Sequence, residues 1–155
     1  MMTVKEYLSQ IRRIDRKIWS LMETRDILIS KAMQNQSPQL VADKVQSSGG
    51  NSGMSAAVER FVDIEAEIKK QTDRYAAMMW AIVKQITELD DPKYVQLLYL
   101  KYVQYKRLEE IACIMLKPNG EPYNYEYIKR MHGWALEAFR RKFPYVTQMS
   151  PLHDV

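Results

Sequence analysis

The residues best suited to bind a polar partner lie in one stretch near the C-terminus, "NYEYIKRMHGWALEAFRRKF", residues 124–143. On a helical wheel, one side of this stretch carries Tyr125, Glu126, Lys129 and Arg130. Lysine and arginine donate hydrogen bonds and glutamate accepts them, so this side is suited to a polar or acidic surface. The opposite side is apolar, which predicts packing against a core. Its members are Ile128, Met131, Ala135, Leu136 and Phe139.

A second set of side chains predicts contacts to phosphate groups. Asn124 is suited to cap the helix, whose free N–H groups favour an anion. Residues 91–145 hold ten lysines and arginines against six acidic residues, so most of the chain's net charge of +4 lies there. The candidate cations are Lys106, Arg107, Lys117, Arg140, Arg141 and Lys142. Arg140, Arg141 and Lys142 are also favoured by the negative C-terminal end of the helix dipole. The alternative interpretation is therefore that these three cations are solvated and bind no phosphate.

The sequence predicts no catalytic residue and no metal site. It contains no P-loop, no nucleophile elbow and no HExxH zinc motif. His132 stands without a second histidine, cysteine or carboxylate cluster at metal spacing, so we expect a hydrogen-bonded packing residue. Cys113 lies in an apolar segment, where we expect it to be buried and inert. We therefore expect a protein that is not an enzyme and needs no cofactor.

Gly133 interrupts the helical stretch and costs about 1 kcal/mol relative to alanine, so another interaction should compensate. One explanation is the close approach of a partner's backbone. The other is a crossing with a second helix of this chain, which we favour slightly.

The elements that position these residues predict an all-α fold. Gly and Pro are scarce, and two long segments place apolar residues at alternating spacings of three and four. Residues 1–90 predict a long antiparallel helical hairpin, coiled-coil-like, with a Ser/Gly-rich loop at 34–53 and the second helix beginning near Ser55. Residues 91–145 predict three short helices, and 146–155 a flexible tail.

The apolar stripes of the hairpin leave some apolar residues over. Three polar residues interrupt the stripes: Arg25, Gln71 and Gln85. The leftover apolar positions are Trp19, Val62, Trp80 and Val83. Two interpretations stay open: these side chains belong to the core of one chain, or they form the face of a homodimer.

Three short helices with a long basic third helix are the layout of a helix-turn-helix module. "LLYLKYVQYKRLEEIACIM" resembles region 4 of bacterial sigma factors ahead of the turn, and residues 124–143 resemble its recognition helix. The whole chain resembles phage and prophage transcriptional regulators of the ArpU/RinA type in the order of "EYLSQIRRIDRKI", "SSGGNSG", "VDIEAEI", "DPKYVQLLYLKY" and "RMHGWALEAF".

The resemblance implies a regulator of late phage genes that binds double-stranded DNA or contacts RNA polymerase. In such a module the third helix enters the major groove, so we expect Tyr125, Glu126, Lys129 and Arg130 to contact base edges. The chain departs from the pattern in three places. Tyr105 replaces the usual glycine, Arg107 replaces a Thr or Ser cap, and "KPNGEP" lengthens the turn.

A helical assembly protein is the second hypothesis, because small terminase subunits also combine helix-turn-helix modules with coiled-coil oligomerisation. The single cysteine, the lack of an apolar run of 18 residues and the lack of an apolar signal core predict the cytoplasm of a bacterial host, away from the membrane.

Overall fold

The computed structural model describes residues 1–34 and 50–148. All regular structure in these two ranges is helical, apart from one antiparallel bridge between Leu116 and Pro122. The prediction of an all-α chain is therefore confirmed for the described residues.

The described residues form six α-helices and two short helical turns. The α-helices are α1 Val4–Leu8, α2 Gln10–Gln34, α3 Gly50–Thr87, α4 Pro92–Leu98, α5 Leu108–Ile114 and α6 Tyr125–Lys142. A π-helical turn, Tyr99–Val103, continues α4, and a 3-10 turn, Pro144–Gln148, follows α6.

Local sequence explains where several helices begin. The Thr3 hydroxyl accepts a hydrogen bond from the Glu6 N–H, and the Glu6 carboxylate accepts one from the Thr3 N–H, which makes a capping box. Asp91 caps α4 by accepting a hydrogen bond from the Lys93 N–H, and Pro92 occupies the first helical position, where its missing N–H costs nothing.

Two predicted boundaries differ from the structure. Helix α3 begins at Gly50, five residues before the predicted start at Ser55, although glycine, asparagine and serine are poor helix formers. Val146 is fully buried in the 3-10 turn, so the chain stays packed past the predicted start of the tail. The rest of the predicted loop, 35–49, and of the tail, 149–155, lies outside the described residues.

The chain forms two compact units that do not follow the predicted division at residue 90. One unit joins Met1–Ile14 to the described residues from Tyr75 onward, and the other is Asp15–Arg74. The physical reason is burial: Leu8 and Ile11 near the N-terminus are fully buried in the same apolar core as the C-terminal helices.

In the first unit, α4 and α5 pack on α6, and α1 packs on α6 as well. The rings of Tyr7 and Phe139 lie 6.2 Å apart at their centroids, which joins the N-terminus to the last helix. The fully buried members of this core from the C-terminal helices are Leu97, Leu98, Ile111, Ile128, Met131, Ala135 and Phe139.

The Asp15–Arg74 unit buries its apolar residues less completely. Among its described residues only Gln71 is fully buried, whereas Ile18, Leu21, Leu28, Ile64 and Ile68 keep intermediate exposure. An ion pair of 3.1 Å between Arg25 Nη1 and Glu65 Oε1 connects α2 to α3. Large apolar side chains remain exposed in this unit: Trp19, Met22, Ile27, Met33, Val58, Phe61 and Val62.

Candidate nucleic-acid interface

Helix α6 has one buried side and one exposed side, as its sequence predicts. Ile128, Met131, Ala135 and Phe139 are fully buried, and Leu136 is partly buried against the same core. The four residues expected to contact bases, Tyr125, Glu126, Lys129 and Arg130, are all exposed. We call this exposed side, from Tyr125 to Arg140, the outer face of α6.

Three of these four side chains contact one another. The Lys129 Nζ lies 2.9 Å from Glu126 Oε1 and 4.8 Å from the centroid of the Tyr125 ring. The hydrogen bond with Glu126 raises the pKa of Lys129, so its charge is secure. Arg130 has no ion-pair partner among the described residues and is the cation of this group that is free to bind a partner.

Asn124 lies at the start of α6, where its Oδ1 accepts a hydrogen bond of 2.8 Å from the Glu126 N–H. The side chain therefore caps the helix, as its residue type predicts. An α-helix leaves the other N–H groups of its first turn without intrahelical partners, and such a helix end suits an anion.

The three cations at the end of α6 all have acidic or carbonyl partners. Arg140 and Arg141 both bind Glu137, at 2.7 and 3.0 Å, and these hydrogen bonds lower the pKa of Glu137 to about 2. Lys142 pairs with Asp90 at 3.0 Å and donates to the Glu88 carbonyl, so it holds the end of α6 against the segment after α3. Since exposed ion pairs are weak, Arg140 and Arg141 can still exchange Glu137 for a phosphate at little cost.

The other predicted phosphate ligands lie before α6. The Arg107 N–H donates to Glu110 Oε2 at 2.7 Å, so a glutamate inside α5 caps the helix that Arg107 cannot cap with its own side chain. The Arg107 guanidinium is only loosely paired with the same carboxylate, at 3.8 Å. Lys106 and Lys117 are half-buried, and neither has a carboxylate partner in the described part of the chain.

The long turn between α5 and α6 is a small hydrogen-bonded hairpin. The Lys117 N–H donates to the Glu121 carbonyl at 2.8 Å, and the Gly120 N–H donates to the Lys117 carbonyl at 2.9 Å. Gly120 has a φ of 83°, which glycine adopts without strain. The inserted "KPNGEP" segment thus forms a defined turn, with Lys117 at its base.

Two of the three tyrosines in "YNYEY", Tyr123 and Tyr127, pack against the core and against each other. The rings of Tyr123 and Tyr127 stack at 5.4 Å, and Tyr127 meets the edge of Trp134 at 5.9 Å. Only Tyr125 remains on the outer face of α6, beside Lys129.

Sequence reasoning missed a group of cations beside α6, which we call the basic cluster: Lys5, Arg12 and Lys101. Burial lowers the pKa of Lys101, and the charges of Lys5 and Arg12 lower it further. The Arg12 guanidinium lies 5.5 Å from the centroid of the Tyr105 ring. The three residues come from α1, α2 and the π-helical turn, so only the seven-residue spacing of Lys5 and Arg12 was visible in the sequence.

His132 is the hydrogen-bonded packing residue that the sequence predicts. Its Nε2 lies 2.9 Å from the Tyr102 hydroxyl, and the two rings stack. Burial, followed by the charges of Lys101 and Lys5, lowers the pKa of His132 to about 4, so the ring is neutral at pH 7. Burial raises the pKa of Tyr102, which keeps its hydroxyl protonated.

Two expectations about single residues are wrong. Cys113 is exposed, because the buried side of α5 is formed by Ile111 and Ala112 and Cys113 points the other way. Gly133 is exposed as well, and a Cβ built there would meet nothing within 4 Å. A close crossing with a second helix of this chain therefore does not explain the glycine.

The described residues contain no group of three or more His, Cys, Asp and Glu side chains that could hold a metal ion. Across 1–34 and 50–148, no helix has the length and apolar character needed to span a membrane. Comparison with protein families, with curated proteins and with solved structures finds no match to this chain.

Proposed function

We propose that the chain is a sequence-specific DNA-binding transcription regulator, with α4 to α6 acting as a helix-turn-helix domain similar to sigma factor region 4. Its N-terminal helices α2 and α3 would form the antiparallel hairpin. The resemblance to phage regulators of the ArpU/RinA type favours a role at late phage promoters. The observation that carries the proposal is the outer face of α6, which stays outside the core. It offers Arg130, one turn after the helix start, without an ion-pair partner in the described part of the chain.

The geometry of α6 supports a separation of roles among its polar residues. Arg130 would donate to guanine O6 and N7, which is the commonest specific contact in the major groove. Lys129, Glu126 and Tyr125 form a group whose internal contacts must open or reorient before they reach a base. Lys106, Arg107, Lys117, Arg140 and Arg141 would bind phosphates and fix the position of the domain without reading sequence.

The backbone at Tyr105 also supports the helix-turn-helix assignment. Tyr105 has a φ of 59°, the left-handed conformation that favours glycine, and the sigma-like pattern has glycine at this position. A turn of that shape between the π-helical turn and α5 is what the resemblance implies.

To test the proposal, the wild-type protein first selects its preferred duplex from a random pool. The binding of Arg130→Ala to that duplex is then compared with the binding of the wild type. We expect Arg130→Ala to weaken binding to that duplex by about 1–3 kcal/mol and to relax the preference at one base pair. The melting temperature should stay unchanged, because an exposed arginine without an ion pair contributes little to folding.

Arg60→Ala is the matched control, because Arg60 is also exposed and belongs to the Asp15–Arg74 unit. It should leave the base preference intact. Equal losses in Arg130→Ala and Arg60→Ala, or uniform weak binding of the wild-type protein to every duplex, would refute sequence-specific recognition by α6.

A homodimer formed through α2 and α3 would suit this function, since two domains could bind two half-sites. Trp19, Met33 and Val62 in these helices are each more than half exposed, which favours self-association. The same observation supports a second candidate, a helical DNA-packaging or assembly protein similar to a small terminase subunit. Light scattering separates the two candidates: a dimer supports the regulator, and a ring of more subunits supports the assembly protein.

A further inference from the structure

The basic cluster has a regular geometry. Lys5 and Arg12 are seven residues apart, and helical hydrogen bonding continues across the junction at Ser9, whose N–H donates to the Lys5 carbonyl and whose carbonyl accepts from the Arg13 N–H. The two cations therefore lie on one side of the same helical rod. The Arg12 guanidinium lies 5.5 Å from the centroid of the Tyr105 ring, so Tyr105 and the preceding π-helical turn with Lys101 form a second row beside this rod.

Irregular backbone positions the second row. In the π-helical turn the Gln104 N–H donates to the Tyr99 carbonyl, one residue further back than in an α-helix. Tyr105 then takes a left-handed conformation with a φ of 59°, which is strained for a residue that carries a Cβ. Such strain persists where the surrounding structure requires it, and it is concentrated at functional sites. Here both irregularities lie beside the same three cations.

The cations of the basic cluster repel one another, and within 1–34 and 50–148 none of them forms an ion pair. Lys5 and Arg12 disfavour the charge on Lys101, and Glu109 is the one carboxylate that favours it. Neither Lys5 nor Arg12 forms an ion pair with a described residue. A group of three cations without ion-pair partners in the described chain, one of which is the half-buried Lys101, is suited to an anion, and a phosphate would remove the repulsion.

We propose that Lys5, Arg12 and Lys101 form a phosphate-binding site that clamps the backbone of the DNA held by α6. This inference rests on the proposed function and extends it to the N-terminal residues, which the helix-turn-helix resemblance leaves without a role. Lys101 directly precedes Tyr102, whose hydroxyl lies 2.9 Å from Nε2 of His132 in α6, so the π-helical turn holds the site beside the side of α6 that carries this histidine. The clamp positions the domain and contributes salt-dependent affinity without contributing base preference.

The test compares a triple variant, Lys5→Gln, Arg12→Gln and Lys101→Met, with the wild-type protein in DNA binding at several salt concentrations. The plot of log K against log salt becomes less steep by about 0.9 for each lost phosphate contact. The slope of the triple variant should therefore be less steep than that of the wild-type protein by about 2.7. Between 50 and 200 mM salt the affinity of the triple variant should therefore fall about 40-fold less than that of the wild-type protein. The ranking of duplexes should not change.

A control triple variant, Lys31→Gln, Arg60→Gln and Lys70→Met, removes the same charges from exposed positions of the Asp15–Arg74 unit. It should keep the wild-type slope. The clamp is refuted if both triple variants show one slope, and this result would leave the assignment of Arg130 intact. If the wild-type protein binds no duplex at all, the proposed function and the clamp fail together.

Thermal melting separates a binding site from a structural role. Because the three cations repel one another in the free protein, Lys101→Met should melt at or above the wild-type temperature while binding DNA more weakly. A lower melting temperature together with unchanged binding would assign Lys101 to the fold and refute the clamp.

Discussion

Lys129 and Arg130 are adjacent in the chain and carry the same charge, yet their surroundings differ. Lys129 is held by Glu126 and by the Tyr125 ring, whereas Arg130 has no such partner in the described residues. The sequence predicted both as base-contacting residues, because a helical wheel gives the direction of a side chain and not its contacts. At the scale of residues, the sequence predicted correctly which side chains of α6 are exposed and which are buried. The contacts that each charged side chain makes were visible only in the structure.

His132 predicts a pH dependence of stability. Its pKa in the folded protein, about 4, is below the ordinary value of 6.5. The contribution of the neutral imidazole to folding stability is therefore complete above pH 6.5 and is lost as the pH falls toward 4. Urea unfolding of wild-type protein and of His132→Gln should therefore show a stability difference that changes between pH 7 and 4.5. In this window the wild-type protein should lose more stability than the variant, since glutamine does not titrate. Parallel pH profiles of the two proteins would contradict the burial of a neutral imidazole.

Gly133 predicts opposite effects on stability and on DNA binding. Gly133→Ala should stabilise the protein by about 1 kcal/mol, because the new methyl group meets nothing and alanine favours the helix. The same methyl group stands on the outer face of α6, and we expect about a tenfold loss of DNA affinity if the backbone of α6 approaches the bases closely. Thermal melting and fluorescence anisotropy measure the two effects.

Gly120→Ala is the control for the stability effect, because Gly120 has a positive φ and an alanine there should destabilise the protein. A stabilised Gly133→Ala protein that binds DNA as well as the wild type would rule out the close approach at this position.

At the scale of elements, two of the three polar interruptions of the apolar stripes connect neighbouring elements, and the third is only partly hydrogen-bonded. Arg25 pairs with Glu65 across α2 and α3. Gln85 accepts from the Tyr7 hydroxyl and donates to the Tyr145 hydroxyl, both at 2.8 Å. Gln71 donates to Glu67 at 2.7 Å, but its buried Oε1 has no hydrogen-bond partner in the structure. The stripes predicted the helices, and the interruptions could not be interpreted without the neighbouring elements.

The two glutamines predict opposite results for the same substitution. Gln71→Leu should stabilise the protein by about 1–2 kcal/mol, because it removes a buried acceptor that lacks a partner. Gln85→Leu should destabilise it by about 1–3 kcal/mol, because the buried Tyr7 hydroxyl loses its acceptor. Urea unfolding measures both changes, and a shift of the same sign in the two variants would contradict these hydrogen-bond assignments.

Helix boundaries were predicted best where the sequence carries a distinct cap. Asn124 caps α6 as its residue type predicts, and the structure shows that Thr3 and Asp91 cap α1 and α4 in the same way. The start of α3 at Gly50 was missed, because the local propensities of Gly, Asn and Ser oppose a helix there. The π-helical turn was also missed, since an extra residue in a helix leaves no clear mark in the apolar spacing.

At the scale of the whole molecule, a site assembled from distant segments is what the sequence could not reveal. Lys5 and Arg12 belong to the same compact unit as α6 because Leu8 and Ile11 are buried in its core. The predicted division at residue 90 separated these segments, since periodicity describes helices one at a time and not which of them share a core. The basic cluster follows from that shared core and from nothing in the local sequence.

The central claim is that the outer face of α6 binds DNA, and an NMR titration of the full chain with its selected duplex tests it most directly. We expect the largest backbone amide shifts at Tyr125 to Arg130 and at Gly133, with smaller shifts at Lys5, Arg12 and Lys101. Shifts confined to the Asp15–Arg74 unit, with the amides of α6 unchanged at saturation, would contradict the claim.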